Sequence, residues 1–562
     1  MSYIVHQAED QLRQAINKAA SEAAEAGVLP VLPVGAFQLE VPANRANGDL
    51  SANAAMAWAR ELRQPPRKIA EAIQARLDLT NTYAQRCEVA GAGFLNFYFD
   101  DSYYADILID VRAKGEAYGR SDYGEGKRIL VEFVSANPTG PMHMGNARGG
   151  ALGDCLASVL EAAGYAVERE FYVNDSGNQI EKFALSLDIR YRQHFGEDVE
   201  LPEECYQGAD IAQRAAEFAA IHGDTYLQHS EKERRAALVA YALPKNIETM
   251  HANLEKYRIE YNTWFRESSL YENGEVERVI ALLRASGETY ESEGALWFKG
   301  TERGLEKDFV LVRSNGLPTY IVPDIAYHYN KLVTRGFDRA INILGHDHHG
   351  YTLWLKSVLP AVGIDVSRLD FVLMQMVKFV QNGEAVRMSK RSGKSISLED
   401  LLEEIPVDAL RFLFNLREPT AQMEFDLGLA LEQSSKNPVY YCQYAHARIC
   451  SIFSRFAQDE NKMRECGKEE LALLSAPEER EIIRLLASLT GEIVAAAQNY
   501  DPARITRFCM ELAGLFHKFY NACRIMGEAE PLMQARLTLC AAVRDTLASL
   551  LRMFKITVPE TM

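Results

Sequence analysis

The stretch from Lys127 to Val173 constrains the fold more than any other. "RILVEFV" is an apolar run suited to a buried strand, and "NPTGPMHMGN" breaks it with two prolines and two glycines. "GNARGGALGDCLASVLEAAG" then reads as a small-residue helix ended by Gly164, and "AVEREFYV" as the next strand. Strands alternating with helices in this way mark a parallel sheet. The same rhythm resumes at "RAINILGHDHHGYTLWLKSVLPAVG", and "DFVLMQMVKFV" supplies a further strand. Between them, residues 180–290 are charged and mostly helical, as an insertion into the sheet would be.

The flanks read differently. After Leu398 long amphipathic patterns such as "EREIIRLLASLTGEIVAAAQNY" and "ARLTLCAAVRDTLASLLRMF" predict a separate helix bundle. Before residue 110 there are helical patterns around 6–25 and 50–76, then "CEVAGAGFLNFYF", which alternates like a short strand. "GAGFLN" begins like a dinucleotide fingerprint, but Asn96 stands where the third glycine belongs and no helix follows, so it is rejected as one. With 562 residues the chain is too long for one core. The expected fold class is α/β: a small α+β N-terminal domain over residues 1–115, a Rossmann-like parallel-sheet domain over 120–400 with the helical insertion, and an all-α C-terminal bundle over 401–562. The Gly-rich "YGRSDYGEGK" marks the first boundary.

Charge and cysteines narrow the class. A net charge of −17 argues against nonspecific coating of nucleic acid, which needs a surplus of Lys and Arg to neutralise phosphates. It leaves room for local basic surfaces, and "VRMSKRSGKS" gathers Arg387, Lys390, Arg391 and Lys394 within eight positions. A solvated loop is the plainer reading of that cluster. The nine cysteines are scattered with no C-x-x-C pair, which fits a reduced compartment and predicts no structural zinc. The N-terminus alternates charged and apolar residues rather than forming a leader, and no window is long enough to span a bilayer. A cytoplasmic protein with no membrane partner is expected.

In a parallel sheet, ligands sit at the carboxyl ends of the strands, where helix N-termini offer unpaired N–H groups to anions. The "NPTGPMHMGN" loop occupies that kind of position. Its prolines fix the path, Gly145 lets a ring or phosphate come against the backbone, and His143 supplies a donor at the positive end of the helix dipole. This points to nucleotide binding. Glu132 is a carboxylate in an otherwise apolar strand, costly unless paired, so it is either one half of a strand salt bridge or a ligand group.

"HMGN" resembles the His-x-Gly-His signature of class I aminoacyl-tRNA synthetases, with Asn146 in place of the last histidine. The segment from Arg387 resembles their Lys-Met-Ser-Lys-Ser loop; Met388, Ser389 and Lys390 match, while Arg387 and Arg391 replace the first lysine and last serine. "VEFVSANPTGPMHMGNARGGALGD", "FLNFYF", "TYIVPDIAYH", "GHDHHGY", "VDALRFLF", "NPVYYCQYAHARICSI" and "VPETM" are together similar to arginyl-tRNA synthetases, and the similarity runs through nearly the whole chain. The bundle then corresponds to that family's anticodon-binding domain, the type named for the Asp-Ala-Leu-Arg stretch found here at Asp408 to Arg411.

The resemblance implies ATP-dependent attachment of arginine to the terminal 2′-hydroxyl of its tRNA, through an arginyl-adenylate, by a monomer using Mg²⁺ and no zinc. It implies ATP contacts at His143, Gly145, Asn146, Met388, Ser389 and Lys390, with His143 and Lys390 acting on the phosphates. It implies arginine contacts at Glu132, Asn137, Tyr320 and Asp324, and at His348, which aligns where many members carry glutamine. The chemistry agrees, because selecting a planar, forked guanidinium calls for carboxylates placed to accept several N–H bonds. Phe94 and Asn96 match the place where the family meets the tRNA D-loop; stacking plus an amide edge is how single bases are read, although strand aromatics also build cores. The "HDHHG" cluster could be a metal site, with His346 and His348 alternating, but no second ligand cluster accompanies it, and nucleotide or substrate contacts are the preferred reading. Two rivals remain: a small-molecule adenylyltransferase, which would have no use for the flanking domains, and a non-catalytic paralogue that binds RNA.

Overall fold

The computed structural model describes residues 3–30, 35–381, 384–385, 397–458 and 463–562. The N-terminal sheet contains β1 (Leu39–Glu40), β2 (Leu50–Ala52), β3 (Ala84–Ala90) and β4 (Phe94–Phe99) in the order β1-β2-β4-β3, all antiparallel. The run read as one short strand is thus a hairpin. Gly91 and Gly93 make its turn in the left-handed region, and a Cβ on Gly93 would lie 2.8 Å from the Pro66 carbonyl carbon.

The central sheet is wholly parallel: β5 (Arg128–Glu132), β6 (Ala166–Val173), β7 (Thr263–Arg266), β8 (Arg339–Gly345) and β9 (Leu369–Met374), in the order β9-β8-β5-β6-β7. The chain starts in the middle, builds outward through β6 and β7, then returns to place β8 on the other side of β5. This reversal makes the C-terminal ends of β5 and β8 the topological switch point, where such sheets bind ligands. Of the mostly helical span, Gly177–His194, Ala209–His222 and Glu231–Lys256 form a satellite unit with its own core of Phe183, Leu187, Tyr191, Ile211, Phe218 and Leu238. The same span also supplies β7, whose four residues leave little periodicity to read.

The apolar run at 370–380 divides at Gln375 and Met376. Its first half stays in the parallel sheet, and its second, Val377–Gln381, leaves to pair with Met423–Asp426. The helix Met144–Ala162 lies flush on β5 because it is built from small residues: a Cβ on Gly153 would fall 2.2 Å from the Phe133 ring. Midway along it, Asp154 is fully buried and pairs with Arg411, with Arg169 at 3.0 Å and with Lys555 at 3.1 Å. Arg411 also donates to the carbonyls of Tyr257 (3.0 Å) and Phe554 (2.6 Å), so it pins the C-terminal bundle to the sheet's first crossover helix. Among the described residues, no helix is long and apolar enough to cross a membrane.

Candidate active site

At the end of β5 the backbone turns sharply. Val134 and Ser135 adopt φ values of 68° and 40°, an uncommon conformation for non-glycine residues and a strained one for a β-branched side chain. The loop that follows ends at His143, the N-cap of the helix. Its Nδ1 accepts a hydrogen bond from the Gly145 N–H at 3.1 Å, while the Asn146 Oδ1 accepts from the His143 N–H at 2.9 Å. A backbone N–H on Nδ1 requires a neutral ring with its proton on Nε2. Partial burial also pushes the His143 pKa down, so the exposed Nε2–H is a donor near neutral pH. Gly145 accommodates this ring: a Cβ there would lie 2.9 Å from His143 Cε1. The close approach expected at Gly145 is therefore made, in the structure, by His143 itself.

Lys390, Met388 and Ser389 lie outside the described residues. Where description resumes, Ser397 forms an antiparallel bridge with His143, and the Leu398 N–H donates to the Met142 carbonyl at 2.8 Å.

The carboxylates gather deeper. Glu132 is buried at the end of β5 and accepts from Ser135 Oγ at 2.9 Å and from the fully buried Lys331 Nζ at 2.5 Å. Asp324, in the first turn of the helix Ile321–Tyr329, accepts from the Tyr351 hydroxyl. Its pKa rises to about 7, chiefly because burial penalises the charge and then because Glu267 and Glu132 face it. Glu267, just past β7, is 9% exposed and accepts from the hydroxyls of Tyr172 (2.7 Å) and Ser176. Among the described residues neither Asp324 nor Glu267 has a cation as hydrogen-bond partner. Lys331 neutralises Glu132, and a surplus of negative charge remains. Carboxylates gathered in this way suit a cation.

The other expected contacts are placed less uniformly. Tyr320 precedes the Asp324 helix and is 64% exposed, its ring 6.3 Å from that of Tyr351. Asn137 is exposed in the loop beyond β5. His348 is also exposed, on the turn His346–His348 after β8, 3.8 Å from the neighbouring Asp347; Tyr351, one turn further on, is the residue of that segment that touches Asp324. In the N-terminal domain Phe94 is half-buried, while Asn96 is only 3% exposed. Ser51 faces Asn96 across the strand pair and its hydroxyl donates to the Asn96 Oδ1 at 2.8 Å, which turns the amide oxygen into the sheet.

Sequence reasoning missed Lys331, Glu267 and Tyr351. It also passed over the surface of the bundle, where Tyr440 and Tyr444 stack with centroids 6.4 Å apart and Arg448 lies 4.1 Å over the Tyr520 ring. The aromatic spacing in "NPVYYCQYAHAR" was the available signal for that surface.

Known proteins match this arrangement along the chain. Residues 7–99 match the family described as arginyl tRNA synthetase N terminal domain, 108–426 that described as tRNA synthetases class I (R), catalytic domain, and 442–562 the DALR anticodon binding domain. An arginine–tRNA ligase of Caldanaerobacter subterraneus subsp. tengcongensis is 51% identical over 562 residues, covering 100% of both chains. One of Acetivibrio thermocellus is 48% identical over 564 aligned positions, again with 100% of each covered. The solved arginyl-tRNA synthetase of Thermus thermophilus shares the fold, with a TM-score of 0.73 at 23% identity over 98% of this chain and 100% of that one. With its catalytic-domain match running through more than half its length and full-length relatives near one-half identity, this chain belongs to the arginyl-tRNA synthetase family of class I enzymes.

Proposed function

We propose that the protein joins arginine to tRNA(Arg) in two steps, activation by ATP to an arginyl-adenylate and transfer to the terminal 2′-hydroxyl. The observation that carries the substrate choice is the carboxylate cluster at the switch point, where half-buried Asp324 and buried Glu267 have no bonded cation among the described residues. A guanidinium entering there meets acceptors from Glu132, Asp324 and the Tyr320 side, with Asn137 and the His348 turn at the mouth holding the amino acid's backbone end. The arginine carboxylate attacks the α-phosphate in line, and pyrophosphate leaves. The protein positions and stabilises; no enzyme nucleophile is needed.

His143 Nε2–H and the helix start, with Gly145 and Asn146, face the triphosphate. Met388, Ser389 and Lys390 belong to the ATP-binding set implied by the family resemblance, and in this reading Lys390 meets the charge on the leaving pyrophosphate. Mg²⁺ arriving with ATP shares that charge; zinc has no part.

We assign residues 1–115 to a domain that meets the tRNA D-loop through the Phe94 face, 120–400 to catalysis, and 401–562 to anticodon binding; Asn96, expected to read a base, is buried on Ser51 and supports that face from within the sheet. The Tyr440, Tyr444, Arg448 and Tyr520 surface supports the last assignment, because stacked aromatics beside an arginine suit single-stranded bases. The enzyme acts as a monomer in the cytoplasm. Charging of tRNA with labelled arginine tests the proposal: arginine but not lysine should be incorporated, and equal incorporation of both would overturn the pocket assignment.

A further inference from the structure

Beneath the pocket runs a buried polar chain that the reaction itself does not require. After the helix Ile321–Tyr329 the backbone widens into a π-turn, Asn330–Thr334, and such turns recur at functional sites. Its Lys331 is 0% exposed. The ammonium donates to Glu132 Oε2 at 2.5 Å and to Asn342 Oδ1 at 3.2 Å, and sits 3.8 Å over the Tyr327 ring. Asn342 is the β8 residue in register with Glu132, so these two side chains share one rung of the sheet.

The chain continues in one direction. Asn342 Nδ2 donates to His328 Nε2 at 3.0 Å, and His328 Nδ1 donates to the Asp324 carbonyl at 2.8 Å. Only one assignment of protons satisfies all four bonds: ammonium to carboxylate and to amide oxygen, amide nitrogen to imidazole, imidazole N–H to carbonyl. The ring must be neutral, which agrees with a His328 pKa pushed down to about 3 by burial and by Lys331. One end of the chain holds the Glu132 carboxylate, and the other holds the backbone of Asp324.

We propose that Lys331, Asn342 and His328 are positioning residues for the arginine pocket: they fix Glu132 and Asp324 relative to one another and supply the positive charge that lets a second carboxylate be ionised beside the first. The inference rests on reading this pocket as the arginine site. A buried lysine paired with a carboxylate is usually explained by stability alone, and removal of one partner strands the other. Here the partner is itself a pocket residue, and the same ammonium acts on Asp324. Other groups facing Asp324 are Glu267 and Glu132, which oppose its ionisation, and the hydroxyl of Tyr351, which favours it. Tyr172 and Tyr271 also face it, and burial and the nearby carboxylates push both above their ordinary range.

The test is the KM for arginine between pH 6 and 8.5 in arginine-dependent ATP–pyrophosphate exchange with the full-length enzyme and saturating tRNA. In the wild type, KM should fall about tenfold per pH unit up to an inflection near 7, since one carboxylate must lose its proton to hold the cation. Lys331→Met should move that inflection upward by about one pH unit, raising KM about tenfold at pH 7, while kcat at saturating arginine and the KM for ATP stay within about twofold. Lys331→Gln keeps a donor for Glu132 and Asn342 but removes the charge, so it should move the inflection the same way and carries the test if Lys331→Met does not fold. Glu132→Gln/Lys331→Met strands no charge and should return the inflection close to that of the wild type. Single variants that melt at lower temperature yet superimpose on the wild-type pH profile would show the chain to be structural only and overturn the proposal. Wild-type enzyme without arginine-dependent exchange would instead remove the pocket reading, and this inference with it.

Discussion

Replacing Asp324 with Asn should make the protein more stable and a worse arginine enzyme at the same time. The carboxylate is surrounded by Tyr351, Glu267 and Glu132, and its pKa stands at about 7 in the folded chain. In the unfolded chain it titrates near 4. Below pH 4 both states carry the proton and the residue contributes nothing. Between pH 4 and 7 the folded state holds a proton that the unfolded state has released, so stability falls as pH rises, and above 7 the full loss is present. A carboxyl titrating near 7 rather than near 4 gives up about 4 kcal/mol; solvent reaching the partly open pocket trims this toward about 2 kcal/mol. Asp324→Asn keeps an acceptor for the Tyr351 hydroxyl and removes that penalty.

If the catalytic domain melts as a unit, about 2 kcal/mol corresponds to roughly 2–4 °C. Calorimetry should therefore show the variant melting about 2–4 °C above wild type at pH 8 and together with it at pH 4.5. Saturating arginine should raise the melting temperature of wild type but not of the variant, and the variant's arginine affinity should fall by about 2–5 kcal/mol. Equal melting at pH 8, or equal protection by arginine, would refute both the buried charge and its role.

Three further outcomes are expected. Lys390→Ala should slow activation about 10²-fold or more with arginine and ATP binding little changed, as the proposed contact of its charge with the leaving pyrophosphate requires; rapid-quench measurement of adenylate formation reads this directly. Gly145→Ala should force the His143 ring off the helix start, since the new Cβ would sit 2.9 Å from Cε1, and should lower the activation rate at least about tenfold while leaving the melting temperature near wild type. Phe94→Ala should raise the KM for tRNA by the equivalent of about 1–3 kcal/mol, with arginine and ATP parameters unchanged at saturating tRNA; a melting loss with unchanged tRNA affinity would make Phe94 core packing.

What the sequence showed of this fold follows from how local each signal was. The strand, Pro/Gly loop and small-residue helix from Arg128 to Ala162 are consecutive, so turn chemistry and periodicity were enough to read them. Glu132 was legible as a carboxylate in an apolar strand, and Asp324 only through the resemblance of "TYIVPDIAYH" to the family. Lys331 was not, because it lies 199 residues from Glu132 and meets it only after the sheet has formed. Glu267 was hidden in the same way, behind a four-residue edge strand inside a helical span. The "GAGFLNFYF" reading went part of the way: the strand was real, but Asn96 finds Ser51 on the next strand and is buried there, and cross-strand pairing cannot be read from one strand's sequence.

In the proposed reaction arginine is activated in the pocket between β5 and the Asp324 helix, and the family resemblance implies that tRNA completes that site. Amino-acid-dependent ATP–pyrophosphate exchange, run with arginine or lysine and with or without tRNA(Arg), tests it most directly. Exchange is expected with arginine and tRNA together, because tRNA can favour the assembled site only if it binds that state better. Lysine should support none. Robust exchange with arginine in the absence of any tRNA would contradict the tRNA-completed site, and exchange with lysine at the rate of arginine would contradict the pocket itself.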